Sequence, residues 1–300
     1  MKIGLLTDAP RHNLALMRVA RYYEKKGDMV VFNMPLEKCH YTIGSWLFHE
    51  NYSTDYSGGP ASRFPSRRLE DIFRGVEEES PLYRLYPGLD YSLGITWEYC
   101  PRKCPWCVVP RQKPPMIHRS VFDIHEGWAD KICLLNNNTF SDPRWRETFQ
   151  EIYDLGLTVV DQNGYDIRLI DEEKVVVLNS MHFEGRVYFS WDDIADEAAV
   201  RSGMQTLKQY GFRHPVRFYV LVGYPEGSPV DDTVLHRLQV IADAGFEPFV
   251  MLYNNSHNEQ LRWLRWMVNW SFHWRKVGFK VAWEEGYRPE RRRLAKARGR

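Results

Sequence analysis

Short apolar runs alternate with helical patterns from the first residues of the chain. The run at residues 3–6 precedes a helical pattern that Asn13 can cap, and a second apolar run follows at residues 29–32. This strand–helix–strand order predicts a small Rossmann-like α/β domain over residues 1–88, because parallel strands need a crossover connection. Residues 66–90 contain the acidic run 77–79 and then Pro81, Pro87 and Gly88, which predicts a polar helix followed by a linker.

Six further strand patterns follow, separated by helical ones. The strands are predicted at residues 91–97, 131–135, 157–160, 186–190, 216–222 and 246–252. The helices are predicted at residues 143–155, 167–178, 197–210, 231–244 and 259–274. This alternation predicts a parallel sheet covered by helices. Since parallel α/β folds bind ligands at the carboxyl ends of their strands, the residues that follow each run are candidates for a functional site.

The composition is that of an ordinary soluble globular protein. Hydrophobic residues make up 44% of the chain and charged residues 26%. Apolar runs stay well short of the ~20 residues needed to cross a bilayer, and Asp8 comes too early for a signal peptide. We therefore expect a cytoplasmic protein with no membrane partner.

The charge is unevenly distributed. The formal net charge is +1, yet residues 288–300 contain seven basic residues against Glu290 alone, which gives that segment +6 and leaves the rest of the chain at −5. We therefore expect a basic C-terminal tail over residues 286–300. Such a tail can contact nucleic-acid phosphates, or it can be a solvated terminus.

The most distinctive chemistry lies just after the strand predicted at residues 91–97. Cys100, Cys104 and Cys107 follow the spacing Cys-x3-Cys-x2-Cys, and three thiolates this close can converge on one soft metal centre. A cluster held by three cysteines keeps one iron open to an exogenous ligand. Cys39 and Cys133 stand alone, and we interpret both as small buried hydrophobic residues.

Two other interpretations of the cysteines remain. His118 can complete a Cys3His set for zinc, although structural zinc sites usually pair two short hairpins and the chain has no second pair. Disulfides are disfavoured because the chain has five cysteines, an odd number, and the central three are too close for independent bridges.

The cysteine motif, with Trp106 just before its last cysteine, resembles the signature of the radical S-adenosylmethionine superfamily. The resemblance covers nearly the whole chain, which is similar to uncharacterised members from bacteria and their phages. It implies an open, TIM-like (β/α)6 partial barrel over residues 89–285. It also implies a [4Fe-4S] cluster that binds S-adenosylmethionine, takes an electron from a donor such as flavodoxin or ferredoxin, and generates a 5′-deoxyadenosyl radical.

The same resemblance assigns cofactor-binding residues near the first two strands of the barrel. Trp106 corresponds to an aromatic residue that flanks the adenine of S-adenosylmethionine. Asn136, Asn137 and Asn138 follow the second strand, where the family often has Gly-Gly-Glu. The three amides can hydrogen-bond the methionyl ammonium group, although the family's carboxylate is missing. A simple polar loop is the other interpretation of these asparagines.

Three more cofactor contacts are implied at later strand ends. Ser190 and Asp192 follow the fourth strand, at a position where the family commonly binds the ribose or the methionyl group. Gly223 ends the fifth strand, where the family's backbone approaches the adenine and a bulky side chain would obstruct it.

Two pairs of residues are candidate catalytic residues that contact the substrate. Asp166 and Arg168 follow the third strand, after a turn that Gly164 eases, and Tyr253 and Asn254 follow the sixth. Asp166 and Arg168 can equally form a capping pair at the start of the next helix. The substrate itself stays unidentified, and nucleic acid is among the candidates.

The N-terminal segment suggests a second cofactor. The run Gly58-Gly59-Pro60 resembles a stretch of the cobalamin-binding-type domain that many radical S-adenosylmethionine proteins contain. The chain lacks the Asp-x-His-x-x-Gly loop of other cobalamin proteins, so the resemblance implies an abbreviated or vestigial domain. A cobalamin-dependent methylase is therefore one alternative function. A non-catalytic, metal-stabilised nucleic-acid-binding protein is another.

Overall fold

The computed structural model describes residues 1–255, 258–271 and 273–286. These residues form two compact units. The N-terminal unit comprises Met1–Asn163 and Met181–Glu184, and the C-terminal unit comprises Gly164–Ser180 and the residues from Gly185 onward. The predicted domain boundary at residue 88 stays a prediction. The predicted basic tail, from residue 287 to its end, lies outside the described residues.

The first sheet of the N-terminal unit is the predicted Rossmann-like layer. Its four parallel strands run in the order β2-β1-β3-β4. They are β1 (Lys2–Thr7), β2 (Met29–Phe32), β3 (Tyr41–Ser45) and β4 (Tyr56–Gly58), and helix α1 (Leu14–Lys25) connects β1 to β2. The cap predicted at Asn13 is confirmed, since its side chain accepts a hydrogen bond from the backbone of Leu16.

The second sheet of the N-terminal unit is also parallel, in the order β5-β6-β7-β8. Its strands are β5 (Ser92–Gly94), β6 (Lys131–Leu134), β7 (Thr158–Val159) and β8 (His182–Phe183). The helices of this part are α2 (Val109–Gln112) and α3 (Trp145–Asp154). Strand β8 is only two residues long, which is too short to produce a recognisable pattern in the sequence.

The C-terminal unit contains a third parallel sheet, in the order β11-β10-β9. Its strands are β9 (Val187–Ser190), β10 (Val216–Val222) and β11 (Glu247–Leu252). Its helices are α4 (Glu172–Ser180), α5 (Glu197–Gln209), α6 (Asp232–Asp243), α7 (Glu259–Trp266), α8 (Trp274–Val277) and α9 (Phe279–Gly286), with a π-helical turn at Met267–Ser271. Over the described ranges, every helix is too short or too polar to cross a membrane.

One hydrophobic core joins the two sheets of the N-terminal unit. Ile3, Leu5 and Ile43 from the first sheet belong to the same buried cluster as Leu93 and Cys133 from the second. Each of these side chains is completely buried, so removing them from water stabilises both sheets together, by about 1.5–3 kcal/mol for each large aliphatic side chain. The two sheets therefore form one packed unit.

The interpretation of the isolated cysteines is only half right. Cys133 is completely buried, as predicted, whereas Cys39 is partly exposed. The sulfur of Cys39 lies beside Gly4 on β1, 3.1 Å from the position that a Cβ would occupy there. Cys39 thus packs at the border of the first sheet and not within the core.

The polar helix predicted within residues 66–90 is wrong. This segment contains two short 3-10 turns, Val76–Glu78 and Tyr83–Leu85, and no α-helix. Its apolar side chains are spaced irregularly and pack into the common core, because Leu69, Phe73, Val76, Leu82 and Leu85 all belong to the buried cluster.

The remaining predictions for the fold hold at a coarser level. All six strands predicted after residue 90 are present and parallel, and the α/β class is confirmed. The strands of the described chain form no closed barrel. The open (β/α)6 partial barrel stays a prediction.

Candidate functional site

The three clustered cysteines lie on an irregular loop between β5 and α2. Cys100, Cys104 and Cys107 are each partly exposed, and none forms a disulfide. The backbone N–H of Cys107 donates to the carbonyl of Cys104 at 3.0 Å, which closes a turn between the last two cysteines. Trp106 lies in this turn and is also partly exposed. The loop thus presents three thiols and an aromatic ring just beyond the carboxyl end of a parallel strand.

Asn136 binds the chain segment that leads to this loop. Its Oδ1 accepts hydrogen bonds from the backbone N–H groups of Thr96 at 2.9 Å and Trp97 at 3.1 Å. Its Nδ2 donates to the hydroxyls of Thr96 at 2.8 Å and Thr139 at 3.3 Å. An amide side chain offers two donors and two acceptor positions, so these four bonds use the whole side chain. The role observed for Asn136 is to join the ends of β5 and β6.

The next two asparagines extend this contact toward the cysteines. Asn137 donates from Nδ2 to the carbonyl of Glu98 at 2.5 Å, and Asn138 donates from Nδ2 to the sulfur of Cys100 at 3.8 Å. Three consecutive residues after β6 therefore contact residues 96–100 in order. The sequence predicts that these asparagines bind S-adenosylmethionine, and for Asn137 and Asn138 that stays a prediction.

The donor set agrees with an iron–sulfur cluster in its chemistry. Thiolates are the ligands that hold [4Fe-4S] clusters, and hydrogen bonds to sulfur tune such clusters. The amide of Asn138 beside Cys100 is a donor of that kind. In the described ranges, no three or more His, Cys, Asp or Glu side chains are arranged to hold a metal ion. A bound cluster would take its three protein ligands from Cys100, Cys104 and Cys107.

His118, the fourth ligand in the zinc alternative, is bonded to a carboxylate. Its Nδ1 lies 2.6 Å from Oδ2 of Asp142, and both side chains are buried. Its backbone forms a bridge with Trp97, near the start of the cysteine loop. A carboxylate that orients one ring nitrogen is common for metal-binding histidines and equally for histidines packed in a core. The zinc alternative therefore stays open.

A cavity of about 450 Å³ lies at the carboxyl ends of both sheets of the N-terminal unit. Residues that follow β1, β3, β4, β5, β6 and β7 line it, among them Asn13, Leu47, Gly59, Glu98, Asn137 and Gln162. The cysteine loop borders the cavity, because Glu98 precedes Cys100 by two residues and Gln112 and Pro114 follow Cys107. This is the edge at which parallel sheets bind ligands, and the volume suits one small molecule.

Glu98 carries a buried charge at the wall of this cavity. It is 4% exposed, and its carboxylate accepts hydrogen bonds from Arg68 at 2.5 Å and Arg119 at 2.9 Å. Two guanidinium groups on one carboxylate satisfy a charge that would otherwise be costly to bury. Since Asn137 binds the backbone carbonyl of the same residue, Glu98 is held from both its side chain and its main chain.

Tyr91 links two residues that line the cavity, His12 and Gln162, through its hydroxyl group. Gln162 donates to the hydroxyl oxygen of Tyr91 at 3.1 Å, and that hydroxyl lies 2.8 Å from Nδ1 of His12. Burial, together with the charge of Arg11, lowers the pKa of His12, and burial raises the pKa of Tyr91 to about 12. His12 and Tyr91 thus share one hydrogen bond, in which either group can be the donor, depending on the tautomer of the imidazole.

Asp166 and Arg168, in the C-terminal unit, are bonded to each other. The carboxylate of Asp166 accepts from Arg168 Nε at 2.7 Å and Nη2 at 3.1 Å, and Asp166 also caps the 3-10 turn Ile167–Leu169. Asp196 accepts from Nη1 of Arg168 at 2.5 Å. The capping pair that the sequence offers as an alternative is therefore present, and a role in substrate binding stays a prediction.

Ser190 and Asp192 lie at and just beyond the end of β9. Ser190 pairs in register with Tyr219 of β10. Oδ1 of Asp192 accepts from the backbone N–H of Leu221 at 2.9 Å, and burial raises the pKa of its carboxyl group. Arg237 donates to the carbonyl of Asp192 at 2.8 Å. These bonds join the ends of β9 and β10, and cofactor binding by either residue stays a prediction.

The remaining predicted residues follow β10 and β11. Gly223 has a φ of +83°, and a Cβ there would lie 2.6 Å from Cδ1 of Leu261. Tyr253 packs edge-on against Tyr224, with 5.0 Å between ring centroids, and Asn254 is an exposed residue with a φ of +48°. Glycine at position 223 is thus required by backbone conformation and by packing, whatever binds near it.

Sequence reasoning missed the charged and polar residues of the cavity wall. His12, Arg68 and Glu98 come from segments separated by up to 86 positions, and no spacing rule links them. The only usable signal is that Glu98 stands two residues before the first cysteine of the motif.

Comparison of the chain with models of known protein families and with curated proteins finds no match.

Proposed function

We propose that the chain is a radical S-adenosylmethionine enzyme with a [4Fe-4S] cluster held by Cys100, Cys104 and Cys107. The observation that carries the proposal is the location of these thiols on one loop that follows strand β5 of a parallel sheet, and whose flanking residues Glu98 and Gln112 line a cavity. When bound there, such a cluster would supply the one-electron reduction of S-adenosylmethionine to methionine and a 5′-deoxyadenosyl radical for hydrogen abstraction from the substrate, with the electron coming from a donor such as flavodoxin or ferredoxin.

The asparagines that follow β6 support this proposal, because their hydrogen bonds fix the first half of the cysteine loop. Asn136 anchors the backbone at residues 96 and 97, Asn137 anchors it at Glu98, and Asn138 donates to Cys100. A ligand loop held in this way keeps its geometry when a cluster binds, since supporting hydrogen bonds orient metal ligands. The asparagines thus act as positioning residues for the first cysteine.

The cavity offers a shaped site for the substrate of such a reaction. Its wall combines apolar residues, such as Ile95 and Leu135, with polar and charged ones, such as Asn137 and Glu98. A primary carbon radical attacks most C–H bonds, so a shaped and largely dry pocket is needed to direct it to one substrate position. Asp166, Arg168, Tyr253 and Asn254 stay the predicted substrate contacts.

Metal and sulfide analysis tests this proposal against the two alternatives. After anaerobic reconstitution, we expect about four iron and four sulfide per chain, as the composition of [4Fe-4S] requires. Replacing Cys100, Cys104 or Cys107 with Ala should abolish the cluster, and Cys39→Ala should retain it. Zinc without sulfide would favour the metal-stabilised binding protein, and corrinoid absorbance in the purified protein would favour the cobalamin-dependent methylase.

A further inference from the structure

Arg18 is a buried cation that takes no part in the ion pairs of its neighbours. It is 5% exposed, and its buried Nε has no hydrogen-bond partner among the described residues. The closest acidic groups that influence it are Glu70 and Glu98. Glu98 is already bonded to Arg68 and Arg119. Burial lowers the pKa of Arg18, which reflects the cost of keeping a guanidinium away from water without a direct counter-ion.

The charges around Arg18 do not balance. The group comprises Arg18, Arg68 and Arg119 against Glu70 and Glu98, so one positive charge is uncompensated. Buried charges in proteins are normally paired. An additional negative group close to these residues would neutralise the remaining positive charge.

The cavity gives an anion access to this group. Arg68, Glu70 and Glu98 line it, and so do Leu14 and Ala15 in the first turn of α1. Arg18 lies four residues after Leu14, on the same helix face, and does not itself line the cavity, so it would act on a bound anion through its charge. The N-terminus of α1 adds the positive end of the helix dipole on the same side.

We propose that this cavity binds a small molecule through an oxyanion, either phosphate or carboxylate, that balances the charge of Arg18 and Arg68. The inference rests on the proposed function only in taking this molecule as the substrate of the radical reaction. S-adenosylmethionine itself carries a sulfonium, an ammonium and a carboxylate, and is therefore a net cation. A cavity with an uncompensated buried guanidinium near its wall suits an anionic substrate better than that cosubstrate.

The binding of inorganic phosphate and of acetate tests the proposal on the full chain without a cluster. Titration calorimetry at constant ionic strength, with chloride as the reference anion, should detect at least one of them. Arg18→Met and Arg68→Gln should each weaken binding about 10- to 100-fold, as expected for the loss of a charged hydrogen-bond donor. Arg144→Gln is the matched control, because Arg144 is exposed and bonded to Glu147.

The result with each anion has a defined meaning. Binding of phosphate indicates a phosphate-bearing ligand, binding of acetate indicates a carboxylate, and binding of neither overturns the proposal. Equal weakening by Arg144→Gln would also overturn it, since the anion would then bind the general surface. If Arg18→Met does not fold, Arg68→Gln gives the same comparison, because Arg119 remains to pair with Glu98.

The anion site and the proposed radical reaction can be confirmed or contradicted independently of each other. Anion binding by a protein that never forms 5′-deoxyadenosine would support this site and contradict the radical reaction. Formation of 5′-deoxyadenosine by a protein that binds neither anion would overturn the anion site alone.

Discussion

The side-chain amide of Asn138 donates to the sulfur of Cys100 across 3.8 Å. This contact links the loop after β6 to the first cysteine of the motif. Hydrogen bonds to ligand sulfur stabilise negative charge there, and they are one of the means by which a protein sets the reduction potential of an iron–sulfur cluster.

We therefore expect Asn138→Ala to lower the reduction potential of the reconstituted cluster. A neutral hydrogen bond contributes about 1 kcal/mol, which corresponds to roughly 40 mV for a one-electron couple. Redox titration followed by electron paramagnetic resonance measures the potential. Asn51→Ala is the control, since Asn51 is exposed. An unchanged potential in Asn138→Ala would show that the amide does not contact the cluster ligand.

Asn136→Ala should destabilise the N-terminal unit. The substitution leaves the buried N–H groups of Thr96 and Trp97 without their acceptor, at about 1–3 kcal/mol for each unsatisfied group. We expect the free energy of unfolding in urea to fall by about 2–5 kcal/mol. The same exposed control, Asn51→Ala, should change it by less than about 0.5 kcal/mol. If the free energy of unfolding of Asn136→Ala fell no further than that of Asn51→Ala, the role assigned to Asn136 would be contradicted.

The strands were predictable where the sequence pattern is long. Strand β10 is a seven-residue run in which every residue except Arg217 is apolar, and an apolar run of this length is visible in the sequence. Strands β4 and β8 have three and two residues and lie outside any predicted apolar run, whereas the equally short β5 and β7 lie within the runs predicted at residues 91–97 and 157–160. Strands β4 and β8 form because neighbouring strands supply hydrogen-bond partners, which is information from the tertiary structure.

The candidate site was predictable only in its local part. The cysteine spacing is a local signal, because the three thiols share one loop. The bonds from Arg68 and Arg119 to Glu98 span 30 and 21 positions, and charged residues are common on any surface. The sequence therefore indicates the loop but not the charged wall beside it.

Gly223→Ala should cost more stability than a substitution at a comparable glycine. At Gly223 the added methyl group meets the side chain of Leu261 at 2.6 Å, in a backbone conformation with φ of +83°. Gly245 has nearly the same φ, +82°, and open space around it. We expect a loss of about 1–2 kcal/mol at Gly245 from the conformation alone, and a further 1–3 kcal/mol or so at Gly223 from overpacking.

Thermal or urea unfolding of the two glycine variants measures this difference. Because both glycines have nearly the same φ, the difference in stability between the two variants gives the cost of the contact with Leu261. Equal losses in the two variants would contradict the close packing described at the end of β10.

Asp192 should make the C-terminal unit less stable as the pH rises. Burial raises the pKa of its carboxyl group above the ordinary 3.8, so the folded protein keeps a proton that the unfolded chain releases. The stabilisation is complete below about pH 3.8 and is lost as the pH rises through the folded pKa. Asp192→Asn, which can still accept from Leu221, should flatten this decline above about pH 3.8.

Glu247 provides a control of opposite sign. Burial opposes ionisation of its carboxyl group, but hydrogen bonds and charge from Arg217 and Arg186 outweigh burial and lower the pKa below the ordinary 4.5. Its stabilisation is therefore present above that value and is lost as the pH falls through the folded pKa. Glu247→Gln should flatten the acid side of the stability profile. Changes of the same sign in both variants would contradict these assignments.

Formation of 5′-deoxyadenosine tests the central claim most directly. Anaerobically reconstituted protein is incubated with S-adenosylmethionine and dithionite, beside Cys104→Ala and the control Cys39→Ala. We expect product from the wild type and from Cys39→Ala, and none from Cys104→Ala. A wild-type protein with a full complement of iron and sulfide that forms no more product than Cys104→Ala would contradict the assignment as a radical S-adenosylmethionine enzyme.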